Sequence, residues 1–190
     1  SLTTALFLVY VSGFATQGTW AFYTIEKFGW TEAKIGISLG FIGLMYAIVQ
    51  GGLIRYTIKK FGLQKSLFMG LVMNSLGLLG FAFANSDWTL YLVMTYNALA
   101  GLANPSFQGI ISNRVGDDEQ GELQGGLTSL MSIAAIIGQP FMLGLFRLFT
   151  KENAPIYFPG MPFLVGSILS IISLFFVYRF LRKKKFAKDI

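Results

Sequence analysis

Neither cysteine nor histidine occurs in the 190 residues, and proline appears only five times. Without cysteine there can be no disulfide, no thiolate metal site and no thiol nucleophile, and without histidine the commonest proton shuttle and metal ligand is missing. Neither absence assigns a compartment. Charge is scarce as well, with nine acidic and fifteen basic residues, 24 in all, and none of them falls in six runs at 1–25, 35–54, 66–86, 88–113, 123–146 and 153–178. Those runs are 25, 20, 21, 26, 24 and 26 residues long, so every charge sits in the other 48 positions. A helix on the surface of a soluble domain keeps one wet face and shows charge along it. None of these runs has a wet face.

What is present is apolar sequence in membrane-sized lengths. A hydrocarbon layer of about 30 Å needs roughly 20 helical residues at ~1.5 Å each, and 54% of the chain is hydrophobic. Barrel strands would alternate apolar and polar over ~10 residues, which these runs do not do. The expected fold is an all-α membrane protein, a bundle of six transmembrane helices near 2–24, 35–55, 66–85, 89–111, 122–149 and 160–180, forming one domain over 1–190. The first run has no basic n-region and is too long for a secretory signal, so it reads as a span. Because the chain opens directly in apolar sequence without an initiating Met, it reads as an excised domain of something longer.

Basic residues orient the spans, since cytoplasmic loops collect Lys and Arg. Arg55, Lys59, Lys60, Lys65, Arg114, Arg179, Arg182, Lys183, Lys184, Lys185 and Lys188 fall on one side, eleven against the four of Lys27, Lys34, Arg147 and Lys151. Both termini are therefore expected in the cytoplasm. The basic cluster at 182–185 follows a span immediately, where it serves as a stop signal and a contact for anionic lipid headgroups, and a nucleic-acid partner is set aside.

Small residues let helices approach in lipid, where no hydrophobic drive exists between them. Gly36, Gly40 and Gly43 share a side of the second helix, Gly70, Gly77 and Gly80 a side of the third, and all are expected to pack. Pro105 and Pro140 should kink the fourth and fifth helices. Gln17, Tyr46, Gln50, Asn74, Asn97, Asn104, Gln108 and Gln139 lie at membrane depth, where an amide needs a partner or a watery cavity. Tyr46 and Gln50 share one helix face, as do Asn97, Asn104 and Gln108. Singly, each amide is equally well read as interhelical glue; as a set they favour a cavity. An intramembrane enzyme is not expected, because the hydroxyls present have no base to activate them, and neither a cofactor nor a metal is called for.

Two loops carry a family likeness. GGLIRYTIKKFGLQK at 51–65 is a basic turn around Gly62, and SNRVGDDEQGELQGGLTSLMSIAAIIGQP at 112–140 gathers Asp117, Asp118, Glu119 and Glu122 at the start of the fifth helix, facing the positive end of its dipole. Gly121, Gly125 and Gly126 would allow close contact there. Together with GLANPSFQGIIS at 101–112, APIYFPGMPF at 154–163 and TWAFYTIEKFGWTEAKIGISL at 19–39, these stretches resemble the C-terminal six-helix half of a major facilitator superfamily transporter of the tetracycline resistance (drug/proton antiporter) subfamily. GELQGGLTSLMSIAAIIG at 121–138 is the most specific part, with Gly121, Glu122, Gln124 and Gly125 as its cytoplasmic motif residues. Lys59, Lys60, Gly62 and Lys65 match the degenerate C-terminal copy of the family's basic loop motif. Tyr46 stands where the tetracycline antiporters place a His implicated in proton coupling, and Gln50 matches a family Gln.

The resemblance implies two inverted three-helix repeats, a missing N-terminal six-helix half as partner, and a midplane substrate site faced by helices 1, 2, 4 and 5. Gln17, Tyr46, Gln50, Asn97, Asn104, Gln108 and Gln139 would line it. The implied function is proton-coupled efflux of an amphipathic organic compound across a bacterial inner membrane. The alternatives are a sugar or metabolite carrier of the same superfamily and a non-transporting structural subunit.

Overall fold

The computed structural model describes residues 2–154 and 156–186, with the side chains of Asp117 and 183–186 excepted. The side chains of Lys183, Lys184 and Lys185, together with Lys188, Ser1 and Pro155, therefore lie outside the described residues. Among the described residues there are seven α-helices: α1 (Leu2–Phe28), α2 (Glu32–Ile48), α3 (Ile54–Phe83), α4 (Asp87–Asn97), α5 (Ala103–Ser112), α6 (Gln120–Thr150) and α7 (Met161–Phe186). A π-helical turn, Val49–Leu53, joins α2 to α3, and a 3-10 turn, Ala98–Leu102, joins α4 to α5.

The ends of these helices follow from local chemistry. Gly29 closes α1 in the left-handed region (φ 63), its N–H donating to the Ile25 carbonyl at 2.9 Å, a conformation glycine enters without a Cβ penalty. Thr31 and Ser86 cap α2 and α4 by accepting from the N–H groups of Lys34 (3.4 Å) and Thr89 (3.3 Å). Gly62 is non-helical inside α3, with φ 77 and ψ 166.

Contacts show what Gly62 does. A Cβ added at Gly70, Gly77 or Gly80 would strike Ala103, Asn97 or Val93 respectively, so α3 runs opposite to α4 and α5. Lys34, Phe41 and Tyr46 meet Asp87, Tyr91 and Asn97, so α2 runs with α4. The chain must therefore reverse at Gly62, and the expected loop between 55 and 66 is a single residue flanked by helix. Arg55, Lys59 and Lys60, expected in the loop after the second span, lie on helix instead, because Lys and Arg are good helix formers and the helix continues past the apolar run.

The remaining helices alternate in the same way. Gly160, just before α7, and Gly166 within it meet Ala82 and Leu78 of α3, and Ser173 donates to the Ala5 carbonyl at 2.8 Å, so α7 opposes both α3 and α1. Gly138 meets Val11 and Phe14, and Phe146 meets Phe22, so α6 runs with α1. Six passes result among the described residues: α1, α2 with the start of α3, the rest of α3, α4 with α5, α6, and α7. The pairing of pass 1 with 6 mirrors that of 4 with 3, and the pairing of 1 with 5 mirrors that of 4 with 2, as two inverted three-helix repeats require. Among the described residues, Glu32–Phe83, Gln120–Thr150 and Met161–Arg182 are the stretches long and apolar enough as continuous helices to cross a membrane, the first spanning two passes.

Close packing is concentrated on α1, α3 and α7. Ser167, Ser170 and Ser173 form a buried stripe on α7, and Ser167 donates to the Ser75 carbonyl at 2.8 Å. Asn74 of α3 donates to Ser170 Oγ (3.0 Å) and Ser12 Oγ (3.4 Å), joining three helices through one amide. At the end near Trp30, Trp20, Tyr23, Phe81 and Phe163 pack edge to face, with Tyr23 and Phe163 4.7 Å apart. The Tyr23 hydroxyl donates at 2.5 Å to the Phe81 carbonyl, one of the last-turn acceptors that α3 leaves open.

Candidate functional site

A cavity of about 560 Å³ lies between α1, α2 and the α4–α5 pass. Gln17, Tyr46, Gln50, Asn97, Asn104 and Gln108 all line it. Gln139 does not: its side chain is exposed, with Cγ against Gly18 of α1. Spacing along one helix could place Tyr46 with Gln50, but nothing in the spacing of α6 says which face of that helix turns toward α2.

Each lining segment has a local reason for its shape. Pro105 has no N–H to offer the Gly101 carbonyl four residues back, and the helix tightens into the 3-10 turn over Ala98–Leu102 just before it. A Cβ at Gly101 would come within 3.1 Å of Tyr46 Cδ1, so the missing side chain is what lets the Tyr46 ring lie on that turn. Its hydroxyl donates to Asn97 Oδ1 at 3.5 Å. Gln50 sits in the π-helical turn with Gly51 and Gly52, a wide turn of the kind found at functional positions. Pro140 lies inside α6, which stays helical on both sides of it from Gln120 to Thr150.

Tyr10, Thr16, Trp20, Asn74, Phe81, Met94 and Met131 also line the cavity and were not singled out for it. For α1 a signal existed: Tyr10, Gly13, Gln17 and Trp20 recur every three to four residues, one face of a helix. Asn74 was noted only as an amide at membrane depth; the structure gives it both roles, glue to Ser12 and Ser170 and part of the cavity wall.

Electrostatically the wall is neutral. It offers six side-chain amides, two tyrosines, an indole and a threonine, and no charged residue. Each amide carries two donors and an acceptor, so the surface suits a ligand with both kinds of group. Asn97 Nδ2 is buried without a partner. Past one end of the cavity, Lys34 Nζ and Asp87 Oδ2 are 2.5 Å apart, Trp30 Nε1 donates to Asp87 Oδ1 at 2.6 Å, and Lys34 lies 4.9 Å over the Trp30 ring. The hydrogen bond from Lys34, then that from Trp30, holds the Asp87 carboxyl below its ordinary range. Trp20 Nε1 donates to Ser38 Oγ at 3.0 Å, the other tether between α2 and the bundle at this end.

The motif residues lie away from the cavity. Gly121, Glu122, Gln124 and Gly125 are exposed on the first turns of α6, and Cβ atoms at Gly121, Gly125 or Gly126 would meet nothing within 4 Å. The close contact expected there is not made among the described residues, and the same holds for Gly36, Gly40 and Gly43 of α2.

The family model of the Major Facilitator Superfamily matches residues 2–189. The chain belongs to that superfamily. This major facilitator chain is 28% identical over 174 residues to the class C tetracycline resistance protein of Escherichia coli, covering 92% of this chain and 43% of that protein. It is 31% identical over 173 residues to the class E protein of Escherichia coli, with coverages of 91% and 42%. The class G protein of Vibrio anguillarum is 29% identical over 174 residues, with coverages of 92% and 43%. The chain thus spans less than half the length of these relatives. As a major facilitator chain it is an integral membrane protein, and the neutral cavity is its candidate functional site.

Proposed function

We propose that this chain forms one wall of the substrate path of a proton-coupled exporter of amphipathic organic compounds, completed by a second six-helix half. The cavity carries the reading: about 560 Å³ of amide and aromatic surface, walled on three sides by helices of this chain. A drug-sized ring compound fits a pocket of that scale, with ring faces against Trp20 and Tyr10 and polar edges toward Gln17, Gln50, Asn104 and Gln108.

The second half would seat on α2 and α6, whose apolar residues Ile37, Leu44, Ile48, Met131, Ile133 and Ile137 are exposed in this chain together with their glycines. Rocking of the halves would expose the cavity to each side in turn, with eleven basic residues against four placing both termini in the cytoplasm. Proton coupling needs a side chain that titrates within the membrane. Every acid of this chain lies outside its charge-free runs, so the proton carrier belongs to the second half.

Transport of a compound panel into inverted vesicles that hold the complete transporter tests the reading. Proton-driven uptake of amphipathic ring compounds, with substrate preference altered by Gln50→Ala, is the expected result. Uptake of sugars alone would make the amide wall a polyol site, and no uptake of any solute with normal insertion would leave a structural subunit. Residues 1–190 reconstituted alone should insert and move no protons on addition of substrate; substrate-dependent proton flux there would return the coupling group to this chain.

A further inference from the structure

Because α3 reverses at Gly62 without a loop, a second pocket of about 450 Å³ opens between that turn and the end of α5, sharing no residue with the transport cavity. Lys65 and Arg114 bring two cations to it, Gln64 and Asn113 two amides, and Leu63 and Ile110 an apolar floor. No acid lines it. Arg114 lies 4.4 Å from the centroid of the Phe180 ring, so α7 orients its guanidinium. Among the described residues the ion pair is Lys34–Asp87, at the far end of the bundle, and neither Lys65 nor Arg114 has a carboxylate partner.

We propose that this pocket binds the headgroup of an acidic phospholipid, with Lys65 and Arg114 on the phosphodiester oxygens, the Gln64 and Asn113 amides donating beside them, and an acyl chain descending over Leu63 and Ile110. The level is right for a headgroup: Lys65 stands one residue before the charge-free run 66–86, and Arg114 one residue after 88–113. Two cations without a carboxylate partner among the described residues, set over an apolar floor, suit an amphiphile, whereas a free phosphate would leave the floor unused. Bound there, the lipid joins the third pass to the fourth, the last helix of one repeat to the first of the next, where the described residues supply no salt bridge.

The test is thermal unfolding of the complete, detergent-purified protein that contains residues 1–190, with added phosphatidylglycerol, phosphatidylcholine of the same chains, or inorganic phosphate. Phosphatidylglycerol should raise Tm and the other two should not. The double variant Lys65→Gln with Arg114→Gln should weaken phosphatidylglycerol binding by about tenfold or more, the scale of one lost charge-assisted bond or two. Lys59→Gln with Lys60→Gln removes the same net charge and should leave binding intact. Equal loss in both pairs would show diffuse attraction to a basic surface, and phosphate acting as well as phosphatidylglycerol would show a soluble-anion site; either overturns the proposal. Should the Arg114 variant fail to fold, lipid counts by native mass spectrometry on Lys65→Arg and Lys65→Gln decide instead: retention in the first and loss in the second is expected, and equal retention overturns it.

Discussion

The glycines of α3 and those of α2 both recur along one helix side and have opposite surroundings. At Gly70 an added Cβ would sit 2.6 Å from the Ala103 backbone nitrogen, and at Gly77 it would sit 2.9 Å from Asn97 Cγ, whereas at Gly36, Gly40 and Gly43 it would meet nothing within 4 Å. The first set are contacts between helices of this chain. The second set lie on a helix held to the rest at a few points, Ser38, Lys34, Phe41, Tyr46 and Val49, with little else buried. Helix α6 repeats the pattern of α2 at Gly121, Gly125, Gly126 and Gly144. Small residues in a membrane helix therefore mark a close approach, but the partner can be an element of the same chain or one outside it.

Breaking the comparison at its tight end should have the largest effect. Gly70→Leu would drive a side chain into backbone that cannot give way, and we expect a loss of about 3 kcal/mol or more, seen as failure to recover folded, monodisperse protein. Gly40→Leu should leave Tm within about 0.5 kcal/mol equivalent yet lower transport by the complete protein, because it fills the surface on which the second half is proposed to seat. Unchanged transport in Gly40→Leu would make that stripe a lipid face.

Asn74 and Gln50 sharpen the contrast at smaller scale. Asn74→Ala removes hydrogen bonds to α1 and α7 and should cost about 1 to 2 kcal/mol by thermal unfolding. Gln50 has an exposed side chain, so Gln50→Ala should shift substrate preference with a Tm near that of the parent. A large Tm loss with selectivity unchanged would make Gln50 interhelical glue.

The smallest effect is expected where α2 is tethered by charge. Asp87 is held below its ordinary carboxyl range in the folded protein by Lys34 and Trp30, so its contribution is present above the unfolded value near ~3.9 and fades as pH falls through the lower folded value. Both side chains are more than a third exposed, 38% and 44%, so Asp87→Asn should cost under about 1 kcal/mol at neutral pH. Its unfolding curve should converge on that of the parent at strongly acidic pH. A difference that grows on acidification would place the stabilisation elsewhere.

Much of the cavity was legible because amides at membrane depth are costly, and a helix of known period assigns them to faces: Tyr46 with Gln50, and Asn97 with Asn104 and Gln108. Gln139 was misplaced because period gives the face of a helix and not the neighbour it meets. Trp20 and Tyr10 were passed over because aromatic residues in an apolar helix carry no charge or amide signal, although their spacing with Gln17 was there to read.

Charge-free runs, basic asymmetry and motif residues in the sequence alone determined an all-helical membrane chain of major facilitator type, since lipid forbids unpaired backbone and charge over those lengths. Which glycines are contacts, that Gly62 turns the chain in one residue, and that Lys65 and Arg114 share a pocket were decided only by the tertiary structure. Each of these depends on the phase and direction of helices relative to one another, and that relation is set by side chains packing across 40 or more positions of sequence, as between Gly109 and Leu63, where no local pattern reaches.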